Sequence, residues 1–380
     1  MRIAKLQTDK KTSSGFYMVV RWLTSLCTLA LFLALLAKYV SPLTFWPLAF
    51  FGLAFPILFL LNMLTACFWM LKSNKWLLLP VLAMILSIPN LFGNFQFENK
   101  SKPYQNRKDE LKVMTFNCML FDLYNWSHNK DSRNLIFSML QKSAPDILCL
   151  QEFYQSEGKY AFRNADTLLS FLPTKNIHLE YTTTLRETDH WGVATLTKFP
   201  IIHKGKITFD TPSNNICIFT DIVTETDTIR IYNLHLASIR FGKPEYSLID
   251  NLSKNHYSET NLQEGRNILT LLKRGFLNRA TQIELVRSHI HSCPYKIILC
   301  GDFNDTPSSY AYYTLSKGLQ DAFRESGNGI GRTYNGSLPF LRIDYVLYSP
   351  FFESSHYEQE SASITDHFPV SCTLHHRIQE

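Results

Sequence analysis

Residues 296–305 read KIILCGDFND: an apolar run from Ile297 to Cys300 stops at a glycine and then presents Asp302 and Asn304. A short, unbroken apolar run of this kind fits a strand buried on both faces. The polar residues that follow fall where an α/β sheet exposes side chains to a ligand. The same construction recurs outward in both directions. KVMTFN ends in Asn117, DILCLQ runs into Glu152, and IRIYNLH ends in His235. Beyond it lie RIDYVL with Asp344 and ITDHFP with the pair Asp366-His367. Any one of these residues alone is as easily a turn or cap residue. Six such runs carrying a carboxylate, amide or imidazole are harder to explain that way.

Around these runs the periodicity predicts strands over 112–117, 146–151, 192–198, 216–223, 229–235, 296–300, 343–348 and 369–374. Helices are expected over 131–142, 160–171, 262–273 and 278–292, the last with a stripe of Ile283, Leu285, Val286 and Ile290. Strands interleaved with helices give an α/β (α+β) domain with parallel and antiparallel pairing both open. Residues 241–260 have no clear period and read as an inserted loop. Aromatics at 14% and charges at 18% exclude disorder and coiled coil.

The first quarter of the chain differs in kind. Through residue 96 there are eight basic residues and one acidic, a balance of +7, so 97–380 carries 30 basic and 31 acidic residues, net −1. The basic pI therefore says nothing about a nucleic-acid groove. Long uncharged runs predict a membrane anchor over 1–96 with three transmembrane helices at about 17–38, 44–70 and 76–95, a linker over 97–110 and a catalytic domain over 111–380. Arg2, Lys5, Lys10 and Lys11, and then Lys72 and Lys75, mark the cytoplasmic side. Three spans then place the catalytic domain outside the cytoplasm, on a multi-pass protein of the plasma or inner membrane. Lys100, Lys102, Arg107 and Lys108 work against that bias. Cys118, Cys149, Cys217, Cys293, Cys300 and Cys372 are expected to be mostly free, buried thiols, and no Cys/His cluster suggests zinc. His128, His256, His375 and His376 lie in polar segments and read as surface residues.

Chemically, the strand-end set holds four carboxylates, two amides and two imidazoles. Hard oxygen donors with few imidazoles suit Mg2+, or Mn2+ as a substitute, and leave room for phosphate oxygens. The set points to hydrolysis of a phosphate ester. The ordered motifs L-Q-E, G-V-A-T-L-T-K-F-P-I at Gly192–Ile201, N-L-H-L, G-D-F-N-D-T-P, R-I-D-Y and D-H-F-P-V resemble the endonuclease/exonuclease/phosphatase superfamily. That superfamily includes deoxyribonucleases, abasic-site endonucleases, inositol polyphosphate 5-phosphatases and neutral sphingomyelinases. The resemblance covers about 112–374 and implies a four-layer sandwich of two packed sheets flanked by helices. It implies Glu152 as principal metal ligand, with Asn117 and Asp366 near the metal. Asp302 would orient or deprotonate the water, Asn304 would hold the phosphate, and His367 would contact the phosphate with Asp344 as its carboxylate partner. His235 stands where abasic-site enzymes place a tyrosine, which argues against that activity.

The expected function is a membrane-anchored, Mg2+-dependent, nuclease-like phosphodiesterase using in-line attack of water. The alternative is a phosphatase or phospholipase C-type, sphingomyelinase-like hydrolase of a lipid or inositol phosphate, and a non-catalytic binding module is a remote third. The partners are a phosphate-ester substrate (nucleic acid, lipid head group or small phosphodiester) and the lipid bilayer; no protein partner is inferred. A net charge of −1 weighs against a nucleic-acid strand unless a local basic stripe exists, with Lys204, Lys206, Arg279, Arg332 and Arg342 as candidates.

Overall fold

The computed structural model describes residues 2–97, 110–158, 162–209, 214–239, 260–336, 341–360 and 364–377. Most of the expected linker and nearly all of the expected insert at 241–260 lie outside them, as does His256. The chain divides into two compact units, Met1–Phe92 with Ser308–Tyr310, and Gly93–Pro307 with Ala311–Glu380.

In the first unit, α1 (Arg2–Ala37), α2 (Phe55–Leu71) and α3 (Leu78–Asn94) are the long helices. Gly15–Ala37 and Lys75–Asn94 are long and apolar enough to cross a membrane. The expected middle span at 44–70 is not one helix: Pro47–Leu53 and α2 meet at a 67° bend. Pro56 explains the break, since it has no N–H to donate and its ring crowds the carbonyl of the preceding turn. The few polar groups turn inward. Trp69 Nε1 donates to Thr24 Oγ1 at 2.9 Å, and Thr28 Oγ1 donates to Asn62 Oδ1 at 3.0 Å. Large apolar side chains such as Trp22, Leu26, Leu71 and Leu82 face outward.

The second unit contains two six-stranded mixed sheets. In chain order the strands are β1 (Leu111–Asn117), β2 (Ile147–Ser156), β3 (Asn176–Leu185), β4 (Asp189–Thr197), β5 (Ile201–Ile207) and β6 (Ile216–Val223). They continue as β7 (Thr228–His235), β8 (Lys296–Asp302), β9 (Gln320–Asp321), β10 (Asp344–Tyr348), β11 (Phe352–Gln359) and β12 (Val370–His376). The first sheet runs β11-β12-β1-β2-β4-β3 and the second β5-β6-β7-β8-β10-β9. Each is therefore the same six-strand pattern, with one parallel pair at its centre, β1 with β2 and β7 with β8. Between the sheets lies an apolar core in which Val113, Cys149 and Cys372 meet Ile231, Ile298, Cys300 and Val346. On the outer face of the first sheet, Ile136, Leu140 and Leu168 of α4 (Ser132–Ser143) and α5 (Asn164–Phe171) pack on Met114, Phe116, Leu148 and Leu196.

Several expectations need correction. The two helices expected at 262–273 and 278–292 are one helix, α6 (Thr260–His291), which runs through Gly275. Ile283, Val286 and Ile290 form its buried stripe, whereas Leu285, almost opposite Ile283 on the helical wheel, is exposed. His289 on α6 meets Tyr232 Oη at 2.9 Å on the outer face of the second sheet. His375 is buried and bonded to Ser355 Oγ at 2.6 Å, so it is not a surface residue. Strands β3, β5, β9 and β11 were not expected. All eight cysteines are free thiols.

Asp321 caps α7 (Ala322–Ser326) by accepting from Phe323 N at 3.0 Å, and it also takes Arg342 Nη1 at 2.9 Å and Nη2 at 2.5 Å. The buried guanidinium lies over Phe323 and Tyr345. Asp321→Ala leaves that charge without its partner and should cost about 3–5 kcal/mol. Adding Arg342→Met should recover most of the loss; urea midpoints of the two variants check this.

Candidate active site

The site is the polar end of the intersheet core. Along β1 the inward-facing residues change from Val113 to Thr115 to Asn117, along β7 from Ile231 to Asn233 to His235, and along β8 from Ile298 to Cys300 to Asp302. Period-two alternation keeps each series on one face. The apolar core thus passes into a polar layer and then into a layer of titratable groups at the strand ends. In the second sheet, Asp344 on β10 pairs with Asp302 on β8, and Asp302 pairs with His235 on β7, which puts three functional groups side by side in one row.

Strand β2 departs from alternation, and the departure matters. Its pairing with β4 shifts register between Leu150 and Phe153, and Glu152 has φ +48°. A left-handed residue in a bulge lets two successive side chains reach the same side. Gln151 Nε2 donates to Asn233 Oδ1 at 2.7 Å, and Glu152 Oε1 lies 3.8 Å from His235 Nε2. Gly301 next to Asp302 has φ +141°, and a Cβ there would meet Leu234 O at 2.0 Å, so the close approach of β7 and β8 requires glycine.

Seven of the eight expected residues form one network around the Asp302 carboxylate. Asn117 Nδ2 donates to Asp302 Oδ2 at 3.1 Å, and Asn304 N donates to Asp302 Oδ1 at 2.8 Å. His235 Nε2 and His367 Nε2 lie 3.8 and 3.7 Å from Asp302 Oδ2. His367 Nδ1 bonds Asp344 Oδ2 at 3.0 Å. Glu152 joins from the His235 side. Asn304, at φ +52°, also donates from Nδ2 to Leu236 O at 3.0 Å. Asp366 is half-buried, its carbonyl accepts Asn335 N–H at 2.7 Å, and its charge acts on His367.

Burial sets the electrostatics. It pushes the Asp302 carboxyl up to about 6, opposed by the neighbouring His367 and reinforced by Asp344. For His367 burial acts to lower the pKa, but Asp344 and then Asp302 override it and hold the imidazole well above its ordinary range. Asp302, Asp344 and His367 offer ligand atoms within 4.8 Å of one another, a grouping different from the expected Glu152, Asn117 and Asp366.

The sequence reading missed the layer beneath the site. Gln151 Nε2 also donates to Thr115 Oγ1 at 3.1 Å, and Asn233 Nδ2 donates to Ala194 O at 2.9 Å, so four strands from both sheets are tied together there. A polar residue two positions before Asn117 and before His235, Thr115 and Asn233, was the available signal. It also missed a cleft of about 440 Å³ beside Glu152 and His235, walled by Tyr124, Trp126, Leu185 and Trp191. Each of the five candidate basic side chains is engaged within the protein. Arg279 and Arg342 are buried with Asp305 and Asp321, Lys206 pairs with Glu180, Lys204 donates to Ile177 O, and Arg332 bonds Tyr334 O and Asn335.

A family model described as the Endonuclease/Exonuclease/phosphatase family matches residues 114–367, and one described as a domain of unknown function matches residues 17–94. No curated protein matches the chain. Among solved structures, the endonuclease/exonuclease/phosphatase from Beutenbergia cavernae is 17% identical over 71% of this chain and 72% of its own, with a TM-score of 0.51. The one from Bacteroides vulgatus is 14% identical over 71% of this chain and 100% of its own, also with a TM-score of 0.51. These likenesses bear on the fold: two mixed sheets packed together with helices outside. The family match spans all of the strand-end groups, and its members are hydrolases of phosphate esters that generally use a divalent metal. The chain belongs to the Endonuclease/Exonuclease/phosphatase family and is a phosphoric ester hydrolase.

Proposed function

We propose that the protein is a membrane-anchored, Mg2+-dependent phosphodiesterase, nuclease-like in its chemistry, in which water attacks phosphorus in line with the departing alcohol. The observation that carries this reading is the placement of two imidazoles, His235 and His367, each within 3.8 Å of the same Asp302 oxygen. Asp302 is the acceptor that orients the water and takes its proton. His367 has Nδ1 fixed by Asp344, so its Nε2 proton is directed to a phosphate oxygen. His235 donates from the other side, and the second amide hydrogen of Asn304 holds the phosphate.

The donor chemistry fits Mg2+ at the Glu152 end. A hydrated cation needs a carboxylate with room for water, and the Glu152 side chain is 34% exposed, against 1% for Asp302 and for Asp344. Asn117 pairs across β1 and β2 with Gln151, the residue before Glu152, and Asp366 is the third member of the expected set. The buried trio fits less well, because an imidazole kept protonated between two carboxylates is a donor and not a ligand. When bound, the cation polarises the phosphoryl oxygen and offsets developing charge. A second reading, a phospholipase C-type enzyme acting on a lipid head group, is favoured by the engagement of all five candidate basic side chains and by the apolar first unit.

Chelator should abolish hydrolysis of bis-p-nitrophenyl phosphate, with Mg2+ or Mn2+ restoring it. Glu152→Gln should raise the metal concentration at half-activity by about tenfold or more, since it removes the ligand charge. An unchanged metal titration would place the cation elsewhere. Asp344→Asn with His367→Ala should lose little more activity than His367→Ala alone, whereas adding His235→Ala should cost a further factor of about 100. Simple multiplication of the Asp344 and His367 losses in kcat would break the pairing. For topology, alkaline phosphatase fused after residue 110 should be active and a fluorescent protein there dark; the reverse result would put the enzyme in the cytoplasm.

A further inference from the structure

We propose that the cleft beside Glu152 and His235 binds one uncharged, planar, hydrogen-bonding group of nucleoside size, so that the substrate is a small phosphodiester and not a polymer strand. This rests on the reading of the site as a phosphodiesterase. The cleft opens directly onto Glu152 and His235 and has a volume of about 440 Å³. That is near the lower end of the range for small-molecule pockets, roughly 300–1,000 Å³, and suits a single unit.

Its walls and floor differ in chemistry. The exposed rings of Tyr124 and Trp126 lie 5.0 Å apart, tilted by 50°, and Trp191 packs on Tyr154 at 5.2 Å. Flat aromatic faces of this kind stack on a ring whatever its substituents. The floor is polar: Thr183 Oγ1 donates to Asn214 Oδ1 at 2.9 Å and Asn215 Nδ2 donates to Leu236 O at 2.8 Å. An acyl chain gains nothing from amides and hydroxyls, whereas a ring with edge donors and acceptors does. Among the described residues no Lys or Arg lines the cleft. A strand, which carries a phosphate at every unit, would need such cations in succession.

The wall is also built in advance of any ligand. Residues Met119 to Asp122 all have φ between +46° and +56°, which turns the chain sharply after β1. Phe121 anchors this turn in the core, edge-on to Phe153 at 5.5 Å, and Asp122 Oδ1 accepts Ser127 N at 3.2 Å. Tyr124 and Trp126 are presented from between these two fixed points.

The test uses the full chain in detergent with Mg2+, hydrolysing bis-p-nitrophenyl phosphate in competition with thymidine 5′-methyl phosphate or dimethyl phosphate. The two competitors share one charged diester and differ only in the organic group. Thymidine methyl phosphate should inhibit at a concentration roughly 5- to 100-fold lower, as expected for one stacked ring. Trp126→Ala should shrink that ratio towards one, and Trp126→Phe should keep most of it. Quenching of tryptophan fluorescence by thymidine 5′-phosphate, lost in Trp126→Ala, reads the same contact without turnover. Equal inhibition by both competitors, or a ratio indifferent to Trp126→Ala, would overturn the assignment. So would tighter competition by a thymidine 20-mer than by the monomer, or by phosphocholine than by thymidine 5′-phosphate. Failure of the full chain to hydrolyse bis-p-nitrophenyl phosphate at all, with either Mg2+ or Mn2+ present, would instead reject the phosphodiesterase reading on which the cleft assignment depends.

Discussion

The hydrogen bond from Gln151 to Asn233, 2.7 Å across the space between the two sheets, fixes everything above it. Two sheets packed through aliphatic side chains alone can slide with little penalty, because dispersion and hydrophobic burial are not directional. An amide pair is directional, and in a dry interior an amide left unpaired costs about 1–3 kcal/mol. Gln151 precedes Glu152, Asn233 stands two residues before His235, and Thr115, which shares the network, stands two before Asn117. Groups from different sheets are thereby held opposite one another at the polar end of the sandwich.

The residues above this layer are costly to bury. Asp302 and Asp344 are direct neighbours across a strand pair, each 1% exposed, and two like charges there would repel strongly if nothing intervened. The imidazole of His367 touches both, and Asn117 and the Asn304 backbone donate to Asp302. Glu152 and Asn304 add left-handed backbone that an ordinary strand would not adopt. The dense apolar core below offsets these costs, and the molecule spends that stability where the chemistry is.

What could be read from the sequence divides along the same physical line. The eight expected strands are those with near-continuous apolar runs, and all eight lie in the sheet interiors, with neighbours on both sides. The four strands missed in the two six-stranded sheets, β3, β5, β9 and β11, are the four edges of those sheets. An edge strand such as FESSHYEQ or IIHKGKI keeps one side in water and carries polar residues that leave no hydrophobic signature. The strand-end groups were visible as residues but not as partners, since pairing between sheets is set by the bulge at Glu152 and by register. Arg279 and Arg342 misled for a related reason: composition counts a cation without saying whether it faces water or a buried carboxylate.

The repeated six-strand pattern has a consequence for how the protein is made. The first sheet is not assembled from the first half of the chain. Its order, β11-β12-β1-β2-β4-β3, takes its outer pair from strands that follow all six of the second sheet, while the second sheet is built from consecutive ones. On the ribosome the second sheet can close while the first still lacks β12, leaving the open edge of β1 exposed. Asp366 and His367 lie directly before β12, so the closing strand and these two side chains of the candidate site emerge together. Until β12 has been made the first sheet is not closed, and a chain that stops before Asp366 loses sheet closure and part of the candidate site in a single step.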